Sequence, residues 1–260
     1  MTPLVDAFVN SLASSLRGWR GTQVRHRAWQ PEHLLRLYDI EACPYCRLVR
    51  ETLTELDLDV LILPCPARGQ RFRPQAAALG GKAQFPLLVD DNSGRVLYES
   101  ADIVDYLRQR YGRRDRSWRG LLRVLTVMSS SVASVLALKP YGIAGSRVRH
   151  ARPVERDPRE PLELFSFESS PFSKRVRERL CELELPYRLR NTGKGHWRDL
   201  GPPSFRDRLF KGEMGTTRNR QWLAQNTGRV QVPYLMDINH EAAMYESQDI
   251  LRYLDSTYAG

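Results

Sequence analysis

The sequence predicts an α/β protein in which one unit is written twice, each copy a βαβ–ββα layer preceded by an apolar helix. Three observations predict it. With an offset of 127, Cys43-Pro44-Tyr45-Cys46 falls on Ser170-Pro171-Phe172-Ser173, and Val49, Arg50, Glu51 and Leu53 fall on Val176, Arg177, Glu178 and Leu180. With an offset of 147, the segment QFPLLVDDNSGRVLYESADIVDYLRQRY at 84–111 falls on QVPYLMDINHEAAMYESQDILRYLDSTY at 231–258. Within each copy, short alternating runs bounded by turn residues give way to stretches of helical period.

Leu4, Phe8, Leu12, Leu16 and Trp19 form the first apolar stripe, a helix over 4–19. LLRLYDI at 34–40 alternates and reads as a strand. CRLVRETLTELD at 46–57 places Leu48, Val49, Leu53 and Leu56 on one helical face, and DVLILP at 59–64 is a second strand. A connection follows. PLLVDD and RVLYES then flank Asn92-Ser93-Gly94, a hairpin signal. The closing helix starts with Ser100 as N-cap and turns Ile103, Tyr106, Leu107 and Tyr111 inward.

The second copy repeats this order. Its larger offset marks a 20-residue insertion between about Leu189 and Gln231, rich in Gly, Pro and Arg and read as a loop with an extra helical turn. The apolar run at 121–138 contains Arg123, Thr126, Ser129-Ser130-Ser131 and Ser134, which favours a buried helix over a membrane span. GTQVRH at 21–26 and GSRVRH at 145–150 follow the two helix candidates, and 149–161, with three prolines, reads as an extended connection. The division expected is 1–115, with a core at 34–112, and 116–260, with a core at 161–260.

The formal charge is +10, yet only five of the 40 basic residues are lysines, and the arginines are interleaved with acids along the chain. That pattern fits an arginine-biased genome at least as well as a phosphate-binding face, and argues against a nucleic-acid role. Four cysteines in 260 residues suit a reducing, cytoplasmic compartment better than a disulfide-stapled domain. The N-terminus lacks the pattern of a secretory signal; Arg17, Arg20, Arg25 and Arg27 leave an organelle address open, with Asp6 counting against it.

The chemistry concentrates at Cys43 and Cys46, placed after a strand and at the start of a helix. There the unpaired amides and the positive dipole end favour thiolate, the nucleophilic form. Pro44 suits the first turn because it has no amide hydrogen. Cys46, one turn on, is placed to resolve a mixed disulfide. A zinc half-site is the competing reading, but no second CxxC or histidine pair stands at a matching distance. Cys65 and Cys181 read as small buried residues.

CPYC after a strand, QFP about forty residues later and YES before the last helix resemble glutaredoxins and the N-terminal domain of glutathione transferases. The double arrangement resembles tandem proteins of this thioredoxin-like fold. The resemblance implies that Pro86 and Pro233 are cis, and that Phe85 offers its backbone to the cysteinyl part of glutathione, with Val232 at the same place in the second copy. It implies that Glu99 and Ser100, and likewise Glu246 and Ser247, hold the γ-glutamyl end. Ser100 and Ser247 are explained equally by plain helix caps.

Where glutaredoxins carry a lysine before the first cysteine, this chain has Asp39-Ile40-Glu41, and Ser166-Phe167-Glu168 in the second copy. Carboxylates there oppose a thiolate and an anionic tripeptide, with Arg47 and Lys82 as compensating candidates. Ser170 cannot exchange disulfides, although some glutathione transferases use a serine there to hold the glutathione thiolate. The chain ends at Gly260 with no following helical domain, which argues against glutathione conjugation.

Two functions lead on these residues, ahead of a third, glutathione-bridged iron–sulfur binding at Cys43 across a dimer. One is a glutaredoxin-like thiol–disulfide oxidoreductase acting on glutathione mixed disulfides or protein disulfides, with the second copy a redox-inactive glutathione-binding or docking unit. The other is a non-enzymatic scaffold of two such folds. Glutathione or a disulfide-bearing protein is the partner expected, and the apolar helices offer a homodimer contact.

Overall fold

The computed structural model describes residues 20–112, 138–139, 142–148, 157–196, 199 and 216–259. The expected helix at 4–19, nearly all of the one at 121–138, the boundary near 113–120, much of the connection at 149–161 and most of the insertion lie outside these residues.

In the first unit β1 (Leu35–Asp39) leads through a short turn to α1 (Pro44–Glu55), and β2 (Val60–Pro64) returns parallel to β1. Pro44 occupies the first turn of α1, where no amide hydrogen is needed. The connection expected after β2 contains a helix, α2 (Arg73–Gly80), ended by Gly81 in the left-handed region. The sequence around it, rich in alanine, arginine, glycine and glutamine, has no apolar stripe to announce a helix. Strands β3 (Leu87–Asp90) and β4 (Arg95–Leu97) form the expected hairpin, and α3 (Ser100–Arg110) closes the unit.

A two-strand ribbon, β5 (Leu138–Lys139) with β6 (Gly142–Ile143), separates the units; Leu138 is therefore strand rather than the end of a helix. The second unit repeats the order in β7 (Leu162–Ser166), α4 (Pro171–Glu182), β8 (Tyr187–Asn191), α5 (Arg218–Thr227), β9 (Tyr234–Asp237), β10 (Ala242–Tyr245) and α6 (Ser247–Leu254). A π-helical turn, Asp255–Ala259, follows. Helix α5 matches α2 at the 147 offset and begins two residues earlier.

Among the described residues, eight strands form one mixed sheet in the order β10-β9-β7-β8-β2-β1-β3-β4. The units join through β2 and β8, antiparallel, with Val60 opposite Leu189, Leu61 opposite Arg188 and Ile62 opposite Tyr187. The 127 offset carries Val60 onto Tyr187 and Ile62 onto Leu189, so this pairing maps onto itself. It has the self-complementary form of a two-fold dimer contact, made here within one chain.

The sheet is covered on both faces. One apolar core runs through both units, from Leu35, Leu37, Val49 and Leu53 to Leu162, Leu164, Val176 and Leu180. Smaller clusters lie on the other face, around Tyr38, Phe72 and Leu87 in the first unit and around Phe165, Leu223 and Tyr234 in the second. Each closing helix is fastened to its hairpin by a buried carboxylate. Asp90 accepts from Tyr106 and Tyr111 at 2.5 and 2.6 Å, and Asp237 from Tyr253 and Tyr258 at 2.6 and 2.5 Å.

The basic turns cross between units. Gly21 and Gly145 both have φ near +70°, at 73° and 72°. A Cβ on Gly21 would lie 2.8 Å from Cβ of Glu168, and one on Gly145 3.0 Å from Cβ of Glu41. Only glycine fits this backbone and this approach. After it, Thr22–Val24 pairs with Lys194 and Ser146–Val148 with Ala67.

Candidate functional site

Cys43 is the N-cap of α1, with extended φ and ψ of −75° and 125°. Its carbonyl accepts from Arg47 N at 3.0 Å and its own amide donates to Ile40 at 2.9 Å. The thiol is partly exposed, whereas Cys46 is buried and its sulfur accepts from Ile40 N at 3.5 Å. The Cys46 thiol donates to Cys43 and does most to lower the Cys43 pKa to about 7; burial opposes this, the amides of Cys46 and Tyr45 assist, and Asp39 opposes weakly. Burial pushes the Cys46 thiol well up. One sulfur is thus held as a nucleophile and the next kept protonated. The rate of Cys43 alkylation by iodoacetamide should be half-maximal near pH 7; a midpoint at the free-thiol value of about 8.5 would contradict this.

The sheet register brings the separated motifs to one end of the first unit. Tyr38 lies opposite Leu87 and Leu88 opposite Leu97, so continuing the register sets Asp39, Pro86 and Glu99 in a row beside the turn that carries Cys43. The Phe85–Pro86 bond is cis, and so is Val232–Pro233. In the second unit the same continuation aligns Ser166, Pro233 and Glu246.

Glu99 and Glu246 are the N-caps of α3 and α6, at φ 62° and 64°, a region that bulky residues seldom adopt. Ser100 and Ser247 are therefore first-turn residues, not the caps expected from the sequence, and no side chain caps either helix. Both serines are buried. Gln84 donates to Glu99 at 2.5 Å and Gln231 to Glu246 at 2.7 Å, a contact with no signal beyond the repeated Gln itself. Arg73 lies over the Phe85 ring at 4.8 Å and Lys82 over the Tyr98 ring at 4.7 Å.

The second motif is closed on itself. Ser170 accepts from Ser173 N at 3.3 Å and from Ser173 Oγ at 2.9 Å, and it is 3% exposed. Its hydroxyl serves as a helix cap. Thr22 bonds to the neighbouring Ser169.

Glu41 does not stand beside the thiol as an unpaired charge. It pairs with Arg177 of α4 at 3.1 Å, while Glu168 pairs with Arg50 at 2.9 Å and Arg177 at 3.2 Å. Arg50 also spans both oxygens of Asp39 at 2.7 Å. Arg47 pairs with Glu51 at 3.2 Å rather than serving the thiol. Asp39 is paired within the first unit by Arg50 and Glu41 across the unit boundary by Arg177, so neither faces the thiol as a bare charge. Arg50 and Arg177 were visible as repeated residues, but nothing local marks a charged residue in a helix as buried.

The family model described as glutathione S-transferase, N-terminal domain, matches residues 37–115 and again 164–260. Among solved structures, the chain is similar to a delta-class glutathione transferase of Nilaparvata lugens at 30% identity, over 31% of this chain and 38% of that one, with a TM-score of 0.26. A Bombyx mori glutathione transferase matches at 25% identity over 42% and 50%, TM-score 0.29. A trimeric Leishmania glutathione transferase matches at 14% over 88% and 68%, TM-score 0.28. The chain spans half or less of the two insect enzymes. No curated protein matches it. On the two matched segments, which cover most of the chain, the protein belongs to the glutathione S-transferase N-terminal domain family.

Proposed function

We propose that the protein is a glutaredoxin-like thiol–disulfide oxidoreductase, with two thioredoxin-like domains of which the first carries the chemistry. The observation that carries this reading is the half-buried Cys43 at the start of α1, its pKa lowered to about 7 by a protonated Cys46. Cys43 thiolate attacks one sulfur of a substrate disulfide; a bond to Cys43 forms and the other sulfur leaves as thiolate. Cys46 then gives up its proton and attacks the Cys43 sulfur, releasing the second thiolate and leaving a Cys43–Cys46 disulfide. Two thiols of an external reductant, glutathione in this reading, restore the pair.

The first-unit residues fit such a tripeptide. Glu99 offers a carboxylate for an ammonium group, and the start of α3 at Ser100 favours a carboxylate. Pro86 continues the strand register opposite Asp39, and Arg73 over the Phe85 ring and Lys82 over the Tyr98 ring supply cations on this side of the unit. In the second unit Val232, Pro233, Glu246 and Ser247 keep this frame, while Ser170 is engaged as a cap. That supports a docking or ligand-holding role without exchange for this unit, and makes Ser170 a poor thiolate partner.

Reduction of a glutathione mixed disulfide by the full chain, with glutathione as reductant, is the direct assay. Turnover above the uncatalysed rate is expected. Its absence, with Cys43 still alkylating near pH 7, would leave the scaffold reading.

A further inference from the structure

We infer that Glu168, a carboxylate of the second unit, is a positioning residue for the Cys43–Cys46 pair of the first, acting through Arg50 on the buried carboxylate of Asp39. The inference rests on the thiol-exchange reading above. Arg50 is 1% exposed, and its five N–H donors are all engaged. Nη1 spans Asp39, Nη2 donates to the Glu41 carbonyl at 2.9 Å and to Glu168 Oε1 at 3.3 Å, and Nε donates to Glu168 Oε2 at 2.9 Å. One guanidinium therefore ties the end of β1, the turn that presents Cys43, and the other unit.

The charges do not balance. Asp39, Glu41 and Glu168 surround two guanidiniums, Arg50 and Arg177, and none of the five is more than 6% exposed. Arg47, 3.8 Å from Glu168, is matched by Glu51 at 3.2 Å, so one negative charge is in excess in this buried interface, and a bound proton removes it at least cost. Glu168 touches both guanidiniums and Glu41 does the same, whereas Asp39 pairs with Arg50 alone. The carboxylate that takes up a proton first as pH falls is therefore Asp39. Consistent with this, burial raises Asp39 to about 6, with Glu41 and Glu168 adding to it against Arg50. Glu168 is also pushed up by burial, but Arg177, Arg50 and Arg47 outweigh this and hold it well down.

The other ionisable groups facing Asp39 are thiols and a phenol: Cys43 and Cys46 on α1, Cys65 after β2, Cys181 on α4 and Tyr187 on β8. Its charge opposes ionisation of each. The second unit has Ser166 in this place, accepting from Arg177 Nη1 at 2.9 Å, so the surplus carboxylate accompanies the sulfur pair and not the serine pair.

The test compares the full-length protein with its Glu168→Gln and Asp39→Ser variants, by carboxyl carbon NMR of labelled aspartate and by the pH profile of Cys43 alkylation. Asp57, also raised to about 6, is told apart because only the Asp39 signal vanishes in Asp39→Ser. In Glu168→Gln the network holds two carboxylates to two guanidiniums, and the Asp39 midpoint should fall by at least about one pH unit, a tenfold loss of proton affinity. The part of the alkylation profile near pH 6 should move down with it and be absent in Asp39→Ser. A midpoint within about 0.3 unit of the parent would overturn the inference. If Glu168→Gln does not fold, an alkylation profile in Asp39→Ser identical to the parent overturns it equally; Ser166 beside Arg177 shows that serine fits there. Neither readout needs turnover. A protein inert in disulfide reduction that shows these shifts would sink the exchange reading and keep the inter-unit coupling.

Discussion

Cys43→Ser is expected to bring reduction of a glutathione mixed disulfide down to the uncatalysed rate. At pH 7 a thiol with a pKa of about 7 is half ionised, against about 3% for a free cysteine, while a serine hydroxyl is not ionised at all. The second unit already displays the outcome, since Ser170 at the equivalent helix start spends its hydroxyl on Ser173 as a buried cap. The resolving position behaves differently. Its thiol donor is the largest influence on Cys43. Cys46→Ser keeps a hydroxyl donor, as Ser173 is to Ser170, and should retain single-thiol exchange with the alkylation midpoint still near pH 7. Cys46→Ala removes the donor and should move that midpoint toward about 8.5, slowing alkylation at pH 7 by roughly tenfold. Full turnover in Cys43→Ser would end the assignment of Cys43 as nucleophile. Identical midpoints in Cys46→Ser and Cys46→Ala would end the hydrogen-bond account of its acidity.

Much of this was readable because two similar segments in one sequence serve as controls for each other. Strands β1, β2 and β3, helix α1 and the hairpin at Asn92-Ser93-Gly94 follow from period and turn chemistry, and the family likeness carried the cis state of Pro86 and Pro233. Helix α2 was missed because its faces differ little in polarity. Ser100 was mistaken for a cap because cap preference is statistical, whereas Glu99 takes its place at positive φ under tertiary constraint. The joining of the units through β2 and β8 was not legible. Edge pairing depends on which strand remains uncovered; β2 reads as an ordinary short apolar strand, and nothing in YRLRN of β8 marks it as a joint. The same limit hid the charge network: Glu41 and Arg177 lie 136 residues apart.

That network sets the largest stability effect. Arg50→Met should destabilise the fold by about 3–5 kcal/mol at pH 7, because it leaves two carboxylates in a dry interface without their guanidinium. Asp39 would lose its only ion-pair partner among the described residues, and Glu168 would keep Arg177 at 3.2 Å and the more distant Arg47 at 3.8 Å. Such a loss is a large share of the about 5–15 kcal/mol that holds a typical domain. The pH dependence identifies the cause. In the parent, Glu168 has a depressed folded pKa, so its contribution is present above the unfolded value and is lost as pH falls below it. In Arg50→Met Glu168 rises above its unfolded value, and Asp39, already raised to about 6 in the parent, rises further. Their penalty is then full at pH 7 and fades as pH falls and the folded state takes up protons. Urea unfolding at pH 7 and pH 5 should therefore show a deficit that shrinks on acidification. Adding Glu168→Gln to Arg50→Met should recover part of the loss at pH 7 by removing one of the stranded charges. A deficit independent of pH, or one that the second substitution deepens, would trace the damage to lost packing of the arginine stem rather than to charge.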